Sequence, residues 1–279
     1  MLSKRCAVLI LGGPGIPCSP GAATVILSTI SESAVLAHIL SALALLAPGD
    51  APRTTVGGDE AFVKMQYLEA DEKYRSELGV RKDSAEVLWR IARLRVCQGD
   101  VADEGAKEAW YREAATYARR GIAADSTVGR NYTWLAASIG SIAMYEGGKT
   151  KVKLSHEIKT SLDRAVALDS TDDVAYSIMG SFYLALGNVS WVERQLAAIF
   201  LGSLPPGGFA DAERALTRAV RLAPEIVRHR YELGLLYHEL DRDAEAREEF
   251  RLCGTLPSRL ASDDRTKSMA ADWVKRLTD

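Results

Sequence analysis

The sequence predicts an all-α right-handed superhelix of four repeated helix pairs, and three observations predict it. From Asp59 onward apolar residues recur at i, i+3, i+4 and i+7, with breaks at Gly or Asp/Ser positions, which is the period of an amphipathic helix. No stretch alternates apolar with polar residues as a half-buried strand does. A two-helix unit then recurs four times along the chain.

The first helices carry Leu88-Trp89-Arg90-Ile91-Ala92, Tyr132-Thr133-Trp134-Leu135-Ala136, Tyr176-Ser177-Ile178-Met179-Gly180 and Arg230-Tyr231-Glu232-Leu233-Gly234. Each ends on a large residue followed by Ala or Gly, which lets the next helix approach closely. The second helices are read as Ala114 to Asp125, Ile158 to Asp169, Ala212 to Pro224 and Ala246 to Pro257, each with an apolar stripe at spacings of 4 and 3. This is the tetratricopeptide pattern, whose period is about 34 residues. The small residue of the first helix falls at 92, 136, 180 and 234, with steps of 44, 44 and 54, so the units are enlarged. The second-helix landmark at 114, 158, 212 and 246 shows the last unit to be standard and the extra residues to fall between the two helices, as longer helices or as inter-helix elements. A helix over Glu60 to Leu78 is expected before the array. A capping helix over Asp263 to Leu277, with Met269, Trp273 and Leu277 on one side, is expected to cover its last apolar face.

Residues 1–57 differ in character and are set apart as a leader, leaving 58–279 as the repeat domain. Lys4 and Arg5 precede an apolar run from Cys6 to Leu11, a Gly/Pro stretch follows, and a second apolar run covers Ala34 to Ala47. The readings are an export signal, a spanning segment over Val25 to Ala47 that carries Glu32 and His38, a start placed too early, and an apolar packing helix. Export or membrane association follows from the first two, a cytoplasmic protein from the third. Cys18 is a poor candidate for lipidation because Gly15-Ile16-Pro17 precedes it.

The 279 residues are 47% apolar and 26% charged, which is a globular and not a disordered composition. With 35 basic and 37 acidic residues there is no basic excess for nucleic acid. Cys6, Cys18, Cys97 and Cys253 form no metal-ligand spacing, so neither a metal nor a cofactor is expected. Cys97 and Cys253 lie in the first and last units, too far apart for a disulfide, and read as core residues.

Ala85 to Arg93, Tyr145-Glu146-Gly147-Gly148-Lys149-Thr150-Lys151-Val152, Leu162 to Asp169 and Trp191-Val192-Glu193-Arg194 leading to Phe200-Leu201-Gly202-Ser203-Leu204-Pro205-Pro206 follow one another in an order and spacing that resembles the regulator of microtubule dynamics protein family. The likeness spans about Glu60 to Leu277. It implies a helical-repeat scaffold without catalytic residues. It also implies microtubule association or membrane tethering in some eukaryotic members, and lipid binding by the repeat domain. The leader departs from a family anchor in lacking an uninterrupted apolar span, and no acidic tract flanks a pair of Phe residues. Microtubules are partners only in a eukaryotic host.

Function is therefore read as a non-enzymatic scaffold for a protein or peptide, with a lipid or other apolar-ligand carrier as the alternative. In such an array the first helices line the concave face. Spacing puts Trp89 and Arg93, Arg130 with Thr133 and Ala137, Ser177 with Ser181, and Tyr231 with Leu235 and His238 along that groove. Arg93 and Arg130 are the candidates to meet a carboxylate or phosphate. Arg130 has the alternative of capping the preceding helix, and the groove that of holding only water. The insertion Ser190 to Phe209 places Trp191, Val192, Leu196, Ile199 and Phe200 on one side of a helix. That stripe either extends the core against a neighbouring unit, lids an apolar cavity or offers a partner-binding edge.

Three other patterns carry less. Ala143-x-x-x-x-Gly148-Lys149-Thr150 mimics a phosphate loop, but the preceding segment reads as helix where the mechanism needs a strand. His38, His156, His229 and His238 form no i, i+4 pair and read as surface or satisfied helix residues. Ser203 lies in a Pro/Gly turn with no nucleophile elbow.

Overall fold

In the computed structural model, residues 56–278 are described, and the leader readings, with His38, Cys6 and Cys18, lie outside them. Twelve α-helices follow in order: α1 (Asp59–Val63), α2 (Tyr67–Val80), α3 (Ala85–Val101), α4 (Glu104–Ala124), α5 (Gly129–Ile142), α6 (Gly148–Leu168), α7 (Asp173–Gly187), α8 (Trp191–Phe200), α9 (Phe209–Leu222), α10 (Val227–Glu239), α11 (Asp243–Thr255) and α12 (Asp263–Arg276). No strand occurs among the described residues. The four pairs are α3/α4, α5/α6, α7/α9 and α10/α11, each antiparallel pair packing mainly on itself and then on the next.

Small residues set the closeness of each pair. Ala92 and Ala136 are fully buried, and a Cβ at Gly180 would stand 2.3 Å from Leu216 Cγ of α9. At Gly234 it would meet Phe250 at 2.7 Å. The large-small pairs of the sequence are thus the contact points between the two helices of a unit.

The extra length resolves differently in different units. In the first two it lengthens the second helix: α4 and α6 are 21 residues each, against 14 in α9 and 13 in α11. In the third it forms a separate helix, α8, between α7 and α9.

The expected single helix over Glu60 to Leu78 is two helices. Met65 adopts a left-handed φ of 59°, and Gln66 N–H returns to Ala61 O at 2.9 Å, so the chain turns sharply after α1. The turn brings Phe62 against Tyr67, ring centroids 5.6 Å apart, and buries Phe62 completely, which one straight helix would not do.

One contiguous core runs from Val56 to Ala270. Phe250 stacks on Trp273 of α12 at 5.7 Å, so the last helix covers the end of the array as the periodicity required. The connection before α12 also reaches the opposite end, where Ala261 N–H donates to the Tyr67 hydroxyl at 3.3 Å.

Candidate functional site

The inner faces of α3, α5, α7 and α10 carry the residues expected to line a groove, and the structure buries most of them. Trp89 is buried and its indole Nε1 donates to Glu86 at 2.9 Å. Arg93 is buried beneath α1 and α2: Nη2 donates to Asp59 at 3.0 Å and to the Tyr74 hydroxyl at 2.6 Å, and the guanidinium lies 3.6 Å from the Phe62 ring centroid. Arg90 adds a two-oxygen contact to the same carboxylate, at 2.8 and 3.0 Å. Burial works to raise the Asp59 carboxyl, but the charges of Arg93 and Arg90 and the Tyr74 hydroxyl bond outweigh it and hold Asp59 below the usual carboxylate range. Arg93 is therefore neutralised by its own chain and is not an open anion site.

Arg130 is engaged in the same way. Nη1 lies 3.3 Å from Asp172 Oδ1, and Thr133 Oγ1 donates to Asp172 Oδ2 at 2.7 Å. Asp172 is fully buried and caps α7 by accepting from Ala175 N–H at 3.0 Å. Burial pushes the Asp172 carboxyl up, with Arg130 opposing. Its neighbour Asp173 meets His229 Nε2 of α10 at 2.9 Å; there burial works upward but the His229 contact wins and the carboxyl is held low. On α10, Arg228 Nε stands 2.6 Å from Glu232. Arg130 thus lies beside Asp172, the N-cap of the following helix.

Ser177 and Ser181 are buried on α7, with Ser181 Oγ donating to Ser177 O at 3.1 Å. Ala137, Tyr231 and Leu235 are buried too, Tyr231 against Phe250 at 5.6 Å. His238 is partly exposed, bonded through Nδ1 to Asp243 at 2.8 Å, with its ring 4.6 Å from Trp273. What the structure brings together there is a set of ion pairs and hydrogen bonds that tie α3 to α1 and α2, α5 to the start of α7, and α7 to α10. Asp59, Tyr74, Asp172 and Asp173 complete it and were not singled out in the sequence. The signal for Asp172 was present: an acidic residue just before an apolar helical run is an N-cap pattern.

The apolar insertion is the opposite case. Ser190 Oγ accepts from Glu193 N–H while the Glu193 carboxylate accepts from Ser190 N–H, a capping box that starts α8. Arg194 donates to Leu186 O and Gly207 O, tying the helix to the body by its polar side. Of its ten residues only Ala197 is buried. Leu196 is half-buried, while Trp191 is 73%, Val192 57%, Ile199 70% and Phe200 56% exposed. Packing of this stripe into the core is thus overturned. Ten residues closed at both ends by turns supply one side for attachment, and the Arg194 contacts take it.

No group of three or more His, Cys, Asp or Glu suited to a metal occurs among the described residues. Cys97 and Cys253 are buried thiols that form no disulfide among the described residues, and burial pushes both up, Cys253 to about 12. Ala143–Tyr145 is a 3-10 turn between α5 and α6, so the segment resembling a phosphate loop has a helix before it. His156 Nε2 meets Ser203 O at 2.6 Å, which joins α6 to the turn after α8.

Comparison with known proteins agrees with this architecture and adds lineage. The family model described as regulator of microtubule dynamics protein 1-3 matches residues 57–278. The chain belongs to this family. The regulator of microtubule dynamics protein 1 of Bos taurus is 25% identical over 200 residues, covering 71% of this chain and 63% of the relative. Protein 2 of Homo sapiens is 24% identical over 204 residues, covering 72% and 48%. The chain therefore matches between about half and two thirds of the length of these family members. Among solved structures, a thermophilic TPR protein of Thermus thermophilus superposes with a TM-score of 0.56 at 16% identity, covering 78% of this chain and 95% of that one. That likeness establishes the tetratricopeptide-like helical-repeat fold. Within the family fold seen here, no helix of the described residues is long and apolar enough to cross a membrane.

Proposed function

We propose that this family member is a non-enzymatic interaction scaffold whose working surface is the outer, apolar side of α8. The observation that carries the reading is the inversion of that helix, with Arg194 turned inward to backbone carbonyls and Trp191, Val192, Ile199 and Phe200 turned out to water. Four large apolar side chains on one short helix are unfavourable in solvent unless another body covers them. A protein or peptide counterpart is consistent with the tetratricopeptide-like fold. Microtubules enter only through the relatives' names and apply in a eukaryotic host. Arg93 is buried and paired and Arg130 is half-buried beside Asp172, which disfavours both as open anion sites on the concave face.

Site-specific photo-cross-linking in the host tests this. A photoreactive residue at Ile199 is expected to capture a defined counterpart, and one at Ser177 none. Capture from position 177 with none from 199 would return recognition to the inner face.

A further inference from the structure

One side of α9 carries Arg214, Arg218 and Arg221 at i, i+4 and i+7, so a single helical stripe gathers three guanidinium groups. With Ala210, Glu213 and Thr217 they line an open hollow of about 510 Å³. Ala210 and Thr217 are small, so the long side chains stand around a space instead of filling it. Charge in the hollow is only partly balanced. Glu213 is committed to Arg242 at 2.6 Å, and Arg214 to Asp211, which also accepts from Gly208 N–H at 3.2 Å. Arg218 and Arg221 form no ion pair among the described residues. Arg218 donates to a neutral group, Ser170 O, at 3.4 Å, and its guanidinium lies 5.9 Å from the Tyr176 ring centroid, so the turn between α6 and α7 orients it. Arg221 falls in the last turn of α9, where a cation also suits the helix dipole, a role that Arg214 and Arg218 do not share.

We infer that this hollow on α9 binds the phosphate of a phosphorylated serine or threonine in a protein partner. Such a phosphate carries about 1.5 to 2 negative charges and three acceptor oxygens, which matches two guanidinium groups without carboxylates and a third beside them. A carboxylate has one charge and occupies one guanidinium fork, so an acidic side chain would leave the hollow positive. Clusters of arginine are a recurring means of recognising phosphorylated segments, and the open shape admits an extended segment lying across the helix. Nucleic acid fits less well. No aromatic ring lines the hollow for bases to stack on, and the chain carries a net charge of −2. The inference does not rest on α8 being the working surface.

The test uses the full chain and a short glycine/alanine peptide carrying one phosphoserine, beside the same peptide with serine or with glutamate in its place. Binding is read by ligand-observed nuclear magnetic resonance. The phosphoserine peptide is expected to bind, more weakly as salt rises, with the glutamate peptide at least about 10-fold weaker and the serine peptide silent. Arg218→Gln and Arg221→Gln are each expected to weaken binding about 10-fold, the worth of one charge-assisted hydrogen bond. Arg218→Lys should recover only part of that loss, because the planar fork is absent. Arg221 and Arg214 are exposed, so if Arg218→Gln lowers thermal melting, Arg214→Gln and Arg221→Gln carry the test. Trp191→Ser/Ile199→Ser should leave peptide binding unchanged, which separates this site from the one on α8.

Equal affinity for the phosphoserine and glutamate peptides would overturn the proposal, since it would show a general preference for acid. Full affinity in Arg214→Gln and Arg221→Gln would overturn it too, by moving the phosphate elsewhere. Inorganic phosphate that binds where the phosphoserine peptide does not would remove the peptide as occupant. A single-stranded oligonucleotide that binds more tightly than the peptide, and is lost in the same variants, would assign the hollow to nucleic acid instead.

Discussion

Asp59 holds Arg90, Arg93 and the Tyr74 hydroxyl together at the N-terminal end of the array, and it is the residue whose loss should be felt most. Replacing it by Asn leaves Arg93, which is 6% exposed, without its counter-charge. The expected cost is about 3 kcal/mol, the usual consequence of breaking a buried pair from one side. The pH dependence has a definite sign. Since the folded Asp59 carboxyl sits below its ordinary value, its stabilisation is present above the unfolded pKa near ~3.9 and is lost as pH falls through the lower folded value. Asp59→Asn should flatten the fall in melting temperature below about pH 4, as measured by circular dichroism. An unchanged acid slope would show that the Asp59 pairs do not form.

Two positions on the helices offer direct tests at the scale of the element. Gly180→Ala would put a methyl group 2.3 Å from Leu216 and force α7 and α9 apart, an expected loss of about 1–3 kcal/mol by urea unfolding. Met65 sits at a left-handed φ between α1 and α2, where Gly is unstrained, so Met65→Gly should stabilise the protein by about 1 kcal/mol. A loss of stability in that variant would mean the turn is not formed as described. The same elements show what periodicity can and cannot convey. Ala92, Ala136, Gly180 and Gly234 mark the helix contacts because size is legible in a one-letter code. The break at Met65 is not legible, since Met is no helix breaker and the turn is dictated by burial of Phe62 against residues distant in sequence. The extra residues of α4, α6 and α8 were countable, but whether they lengthen a helix or begin a new one depends on the Ser190 to Glu193 capping box.

For the molecule as a whole, repeat spacing located the inner face but not its state. Arg93 and Arg130 were legible as inward-pointing cations; their partners were not, because Asp59 and Asp172 come from other helices brought alongside by folding. The outward stripe on α8 was visible as a stripe, and only the tertiary structure shows that no described residue covers most of it. Contact between Ala261 and Tyr67 joins the connection before α12 to the start of α2. The working surface proposed above is therefore α8 and not the concave side. Hydroxyl-radical footprinting of the full chain, read by mass spectrometry on aromatic side chains, measures both at once. Rapid oxidation of Trp191 and Phe200 with protection of Trp89 and Tyr231 is the predicted result, and protection of Trp191 to the level of Trp89, or rapid oxidation of Tyr231, would contradict it.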